Sequence, residues 1–162
     1  KSQDDYIQTR PVNGFSTTYG MFSGFTGDIM LDPENPAGSS VNIKIDTETL
    51  ITGWDARTKH FLGPDFFDVA AAPVVTFQST NVEVTGEDTA IVTGNLTMNG
   101  VTKAIALETK LNKMGKHPRA QKDWVGFDAS TTIVRSEFDM GLAAPFVSDE
   151  VKLNISVEAE KQ

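Results

Sequence analysis

Apolar and polar residues alternate along most of this chain. Val41, Ile43 and Ile45 alternate with Asn42, Lys44 and Asp46. Val151, Leu153, Ile155 and Val157 alternate with Lys152, Asn154, Ser156 and Glu158. A period of two marks half-buried antiparallel strands with one wet face. The pattern predicts strands over 5–12, 15–31, 40–51, 73–84, 89–98, 101–112, 124–137 and 149–160. Asn99-Gly100 joins two of these runs, a strong hairpin-turn signal. Gly38 and Gly86 mark other breaks, and Pro11 removes a ladder donor from the first run.

Residues 54–69, WDARTKHFLGPDFFDV, do not alternate, and Gly63-Pro64 interrupts them. One or two short helical turns are predicted here, with Asp55 and Asp65 as capping candidates. No linker or low-complexity tract divides the chain, so residues 1–162 read as one all-β domain. About eight antiparallel strands make an up-and-down barrel or a sandwich, and eight strands enclose room for side chains or for one small ligand.

The inward face decides between those two fillings. The apolar set falls on odd numbers in most strands: Phe25, Ile29 and Leu31; Val41, Ile43 and Ile45; Val75 and Phe77; Ile105 and Leu107; Val125, Phe127 and Ile133. In 89–98 the even set Val92, Gly94, Leu96 and Met98 is the matching face. Gly27, Gly94, Ala129 and Thr131 are small members of these faces. Two readings follow. Small residues leave an apolar lumen that stays dry and accepts an apolar guest. Alternatively, the glycines mark bulges or close strand crossings and the apolar set is ordinary core.

The composition narrows the function. There are no cysteines, which excludes disulfides, thiolate metal sites and cysteine nucleophiles. The net charge of −8 should repel nucleic acid phosphates and anionic membranes, which disfavours nucleic acid as a partner. No run approaches the ~18 apolar residues needed to span a bilayer. Lys1 to Asp5 lack the apolar stretch of a signal peptide, which fits either a cytosolic protein or one whose signal has been removed.

An ordered set of segments then carries a resemblance. FSGFTGDIMLDP (22–33) precedes SSVNIKID (39–46) and LITG (50–53); KHFLGPDFFDV (59–69) and P-x-x-TFQST (73–80) follow. TGNLTMNGVTKAIAL (93–107), RSEFDMG (135–141) and VSDEVKLNISVEA (147–159) complete it. Over roughly 14–160 this resembles the YceI-like family of lipid-binding proteins. The resemblance implies an eight-stranded, antiparallel, lipocalin-like barrel with a short helical segment. It implies a polyprenyl chain or isoprenoid quinone as bound ligand, a bacterial source, a periplasmic or secreted location with the signal removed, and homodimers in some members. The chain departs from the family pattern in its first strand, DDYIQTRPV (4–12), and in Asp139, where a glycine is usual.

Few residues advertise chemistry. His60 and His117 are the two histidines. No nucleophile elbow or triad spacing accompanies them, so no catalytic residue is assigned and the protein is read as a non-enzyme. His60, Asp65 and Asp68 make a weak metal candidate; hydrogen bonding and turn roles explain them better, and no metal is assigned. Phe61, Leu62, Phe66 and Phe67 read equally well as a gate over the lumen or as a plug closing the barrel bottom. Arg135 follows Ile133 in the inward register and needs a partner, with an internal carboxylate preferred over a ligand head group. Lys110, Lys113, Lys116, Arg119 and Lys122 form a basic island across a strand end and a long loop. A solvated hairpin tip is the plainer reading, and steering an anionic head group or lipid surface to the mouth the functional one. The Asn-x-Thr/Ser patterns at Asn95 and Asn154 read as chance.

The expected function is binding of a long polyisoprenoid-type lipid in the barrel, as carrier, store or sensor. Lining candidates are Phe25, Ile29, Val41, Ile43, Phe77 and Leu96. Phe127, Ile133, Leu153 and Ile155 join them, with Phe66, Phe67 and Arg135 at the ends. Bulky replacements of Gly94 or Ala129 are expected to block binding without unfolding. The alternatives are a surface-binding β-sandwich, for example for carbohydrate on Trp54 and Trp124, and an enzyme acting on a hydrophobic substrate.

Overall fold

In a computed structural model, the described residues are 5–9, as backbone, and 16–161. Among the described residues ten strands form one antiparallel sheet. They are β1 (Asp5–Thr9), β2 (Thr18–Phe22), β3 (Phe25–Met30), β4 (Ser40–Asp46) and β5 (Leu50–Ile51). Then come β6 (Val74–Val84), β7 (Thr89–Met98), β8 (Val101–Lys116), β9 (Asp123–Val134) and β10 (Glu150–Glu160). The hydrogen-bonded order is β3-β4-β6-β7-β8-β9-β10-β1-β2-β5. β2 and β3 are two halves of one segment, parted only by Ser23 and Gly24. The lower half pairs with β1 and the upper half with β4, so the curled sheet comes round on itself as a barrel. The first-strand expectation beyond Thr9, with Pro11, lies outside the described residues.

Alternation and the hairpin signal translate directly into this architecture. Asn99 and Gly100 adopt φ of +50° and +74°, the left-handed pair that a two-residue hairpin needs. Asn99 Nδ2 also donates to the Phe138 carbonyl at 3.1 Å, tying the hairpin to a neighbouring loop.

Three expected strands are interrupted, each for a local reason. The segment 15–31 breaks at Gly24 and the segment 40–51 breaks at a 3-10 turn, Thr47–Thr49. These breaks face each other. Gly24 N donates to Thr49 Oγ1, and a Cβ on Gly24 would stand 2.6 Å from Thr49 Cγ2, so the corner requires glycine. Asp46 caps the turn by accepting from Glu48 N, and Thr47 is fully buried with its hydroxyl toward the Ala72 carbonyl. The segment 124–137 leaves the sheet at Val134 and becomes a 3-10 turn, Arg135–Phe138. That turn ends at Asp139 with φ +57°, so the position where glycine is usual is a left-handed one that aspartate tolerates.

The non-alternating stretch holds one helix, α1 (Asp55–Phe61). Trp54 occupies its N-cap position without a side-chain cap bond, so Asp55 is the first helical residue rather than the cap. The second helical turn does not form; Gly63 to Asp68 close tight turns through Gly63 O, and Asp65 instead faces His60. No helix among the described residues is long and apolar enough to cross a membrane.

Candidate functional site

Strand register carries the odd-numbered apolar set into the barrel. Ile43 pairs with Phe77, and Phe77 with Leu96. Ala129 pairs with Ile155, and Phe127 with both Leu111 and Val157. These side chains surround a cavity of about 340 Å³, within the range of ~300–1,000 Å³ usual for small-molecule sites. The cavity occupies one half of the barrel. Its mouth lies between the 31–39 loop, the 84–89 turn and the outer part of β8.

Of the thirteen candidate residues, Phe25, Ile29, Val41, Ile43, Phe77, Leu96, Phe127, Leu153 and Ile155 line the cavity. Phe66, Phe67, Ile133 and Arg135 do not. Ile133 is 5% exposed in the core with Met140 and Val151. Phe66 and Phe67 pack on that core from the loop after α1, and Phe67 stands edge-on to Phe22 at 5.5 Å between centroids. Because Phe22 lines the cavity, Phe67 props up its floor. The aromatic cluster therefore closes the barrel bottom.

Arg135 does not point into the lumen. Its guanidinium donates to the carbonyls of Ser148 (2.9 Å), Val147 (3.0 Å) and Met140, stitching together the 139–149 loop. Its hydrogen bonds go to carbonyls, not to the expected carboxylate. Burial lowers its pKa from the usual arginine value, and the nearby charge of Asp149 opposes that shift. Asp149 itself accepts from the Ser136 N–H and hydroxyl.

The small residues do not create the cavity by absence alone. A Cβ on Gly94 would stand 2.4 Å from Phe77 Cζ and 2.5 Å from the Gln78 carbonyl. One on Gly27 would stand 2.2 Å from the Asn42 carbonyl. Both glycines mark close approaches of strands, so a bulky residue at Gly94 attacks the fold rather than the lumen. Ala129 does line the cavity and is the better position to fill.

Sequence reasoning missed Val82, Val84 and Met114 as lining residues. Each follows a bulge. The β6–β7 register shifts between Ser79 and Asn81, and the β8–β9 register between Leu111 and Lys113. One extra residue moves the inward positions from odd to even. The signal was present as a change of phase, from Val75 and Phe77 to Val82 and Val84. The second bulge also extends β8 to Lys116, so much of the basic island sits on a strand rather than in a long loop.

Polar candidates stay outside. His60 Nε2 lies 3.5 Å from Asp65 Oδ2, both well exposed, with the ring edge-on to Phe66. Among the described residues no three His, Asp or Glu side chains are close enough to hold a metal ion. Trp54 borders α1 under the Arg57 guanidinium, whereas Trp124 is the second residue of β9 and packs on His117. Among the described residues the cavity lining includes no histidine, lysine or arginine; its charged members are Glu87 and Asp88 at the mouth.

Comparison with known proteins agrees with this architecture. A model of the YceI-like domain matches residues 5–159. A UPF0312 protein of Enterobacter sp. (strain 638) is 44% identical over 149 residues, covering 92% of this chain and 77% of that protein. The crystal structure of Burkholderia cenocepacia BcnA superposes with a TM-score of 0.85 at 25% identity, covering 98% of this chain and 96% of BcnA. A polyisoprenoid binding domain from Saccharophagus degradans, implicated in plant cell wall breakdown, shares the fold at 16% identity, with a TM-score of 0.73 and coverage of 99% and 94%. With the family model spanning nearly its whole length, this chain belongs to the YceI-like family.

Proposed function

We propose that the open half of the barrel holds the apolar chain of a polyisoprenoid-type lipid, a polyprenyl chain or an isoprenoid quinone, as a carrier, store or sensor rather than an enzyme. The observation that carries this is a lumen walled by inward apolar side chains, among which Phe25, Ile29, Val41, Ile43 and Phe127 stay only partly buried because nothing among the described residues fills the space beside them. Such a wall gains about 25 cal/mol for each Å² a guest removes from water. The description of the Saccharophagus degradans domain supports the isoprenoid class. The volume is at the small end for a ligand site, so a long chain enters by one end and leaves its remainder at the mouth. A periplasmic or secreted location belongs to the same reading and is tested by cell fractionation.

Native mass spectrometry of the purified protein, followed by organic extraction, tests the binding. A bound apolar lipid is expected on the wild type and absent from Ala129→Trp. Bare protein in both, or equal lipid in both, would refute the lumen reading.

A further inference from the structure

The outer part of the β8–β9 hairpin projects past the cavity mouth, and its charge is unlike that of the rest of the molecule. Residues 109–122 hold five of the 14 lysines and arginines and none of the 22 acidic residues. Lys110 lies 3.9 Å from Asp88, and Lys122 pairs with Glu160. Lys113, Lys116 and Arg119 have no carboxylate within ion-pair distance among the described residues, although Asp123 stands opposite Lys116 in register. Three cations are thus left facing solvent on a protein of net charge −8.

Exposed apolar side chains stand beside them. Met114 is 52% exposed, lines the cavity and shares a face of β8 with Lys116. Val84, at 49%, lines the mouth as well, and Met30, at 71%, ends β3 beside Leu31, another lining residue. Cations flanking exposed apolar side chains are what an interfacial element presents to anionic lipid. Contacts within the hairpin tip tie its turn to β9: His117 Nδ1 accepts from the Arg119 and Ala120 amides, and its ring packs on Trp124 at 4.9 Å between centroids.

We propose that this hairpin tip docks on an anionic lipid surface and presents the cavity mouth to it. The proposal rests on the lumen reading for its purpose, since a mouth held against a bilayer can take up an apolar chain without exposing it to water. The acidic remainder does not prevent contact. Charges farther from the surface than the screening length of about 8–10 Å contribute little, so the nearest cations decide the encounter. Asp88 sits against the base of the hairpin, its carboxylate beside Lys110 and its carbonyl accepting from Leu111 N at 2.7 Å, so the tip beyond Leu111 is the part that leads the approach.

Sedimentation of the intact protein with phosphatidylcholine vesicles, with and without phosphatidylglycerol, tests the docking. The wild type is expected to bind the mixed vesicles and not the neutral ones, and to be released by high salt. Combining Lys113→Glu, Lys116→Glu and Arg119→Glu should weaken that binding by roughly a hundredfold or more. Lumen occupancy is read separately, without vesicles, from uptake of an apolar fluorophore, which the triple variant should retain. Equal binding to both vesicle types, or unchanged binding by the triple variant, would overturn the docking. So would loss of fluorophore uptake in that variant, because the hairpin would then be shaping the lumen. A wild type that takes up no fluorophore refutes the lumen reading, and the sedimentation result still decides the docking.

Discussion

At the closed end of the barrel Phe138, Met140, Val151 and Ile133 expose 1–6% of their surface; at the open end Phe77 and Leu96 are nearly as well buried, but Phe25, Ile29, Val41 and Phe127 point inward and stay only partly buried. The same strands build both ends. What differs is the chain that crosses them. The closed end receives Phe66 and Phe67 from the loop after α1, and Phe138 and Met140 from the segment that Arg135 holds in place. The open end is crossed by the 31–39 loop and the 84–89 turn, which contribute Leu31, Pro33 and Pro36 to the rim but no plug. Strands supply walls, and the connecting segments decide whether the space between them is packed or hollow.

That contrast can be broken at either end. Phe138→Ala should cost about 3–5 kcal/mol in chemical denaturation, whereas Phe127→Ala should cost less than about 1.5, because Phe127 is only half-buried. Equal losses would mean that the two ends are packed alike. Arg135→Met should cost about 3 kcal/mol by leaving the Met140, Val147 and Ser148 carbonyls without their donor. Lipid retention per folded molecule should be unchanged, which lipid extraction from the refolded fraction checks. Gly94→Ala should cost about 1–3 kcal/mol through its contacts with Phe77 and the Gln78 carbonyl. Ala129→Trp should change the unfolding free energy by less than about 1.5 kcal/mol while emptying the cavity of lipid. Its thermal melt beside its lipid content separates the two effects. His60→Ala should fall within about 0.5 kcal/mol of wild type, since its contact with Asp65 is solvent-screened.

The architecture was legible because alternation over eight segments leaves few alternatives. The closed end was less so. Arg135 sits two residues after Ile133, which on a continuing strand would aim it inward, but the chain turns at Val134 and the side chain serves loop carbonyls. The sequence records the residues of such a loop and not where it folds back. Phe66 and Phe67 carried the same ambiguity: an aromatic pair in a helical interruption plugs whichever end its connections place it at. Gly94 shows a different limit. A small residue on an inward face reads equally well as a void or as a contact too close for a Cβ, and only the position of the Phe77 ring separates the two. Val84 and Met114 were hidden by bulges that shift the phase of alternation by one residue. Phe25, Ile29, Val41, Ile43, Phe77 and Phe127 do line the cavity, because parity holds wherever the ladder is unbroken.

The division of the barrel is tested most directly by methyl NMR of the isoleucines during titration with a spin-labelled apolar chain. Ile29, Ile43, Ile105 and Ile155 line the cavity, Ile133 lies in the closed core, and Ile51 is exposed on the outside. The first four signals should broaden together, with Ile133 and Ile51 spared. Broadening of Ile51 before the cavity methyls, or no broadening at all, would contradict a hollow, lipid-accepting half.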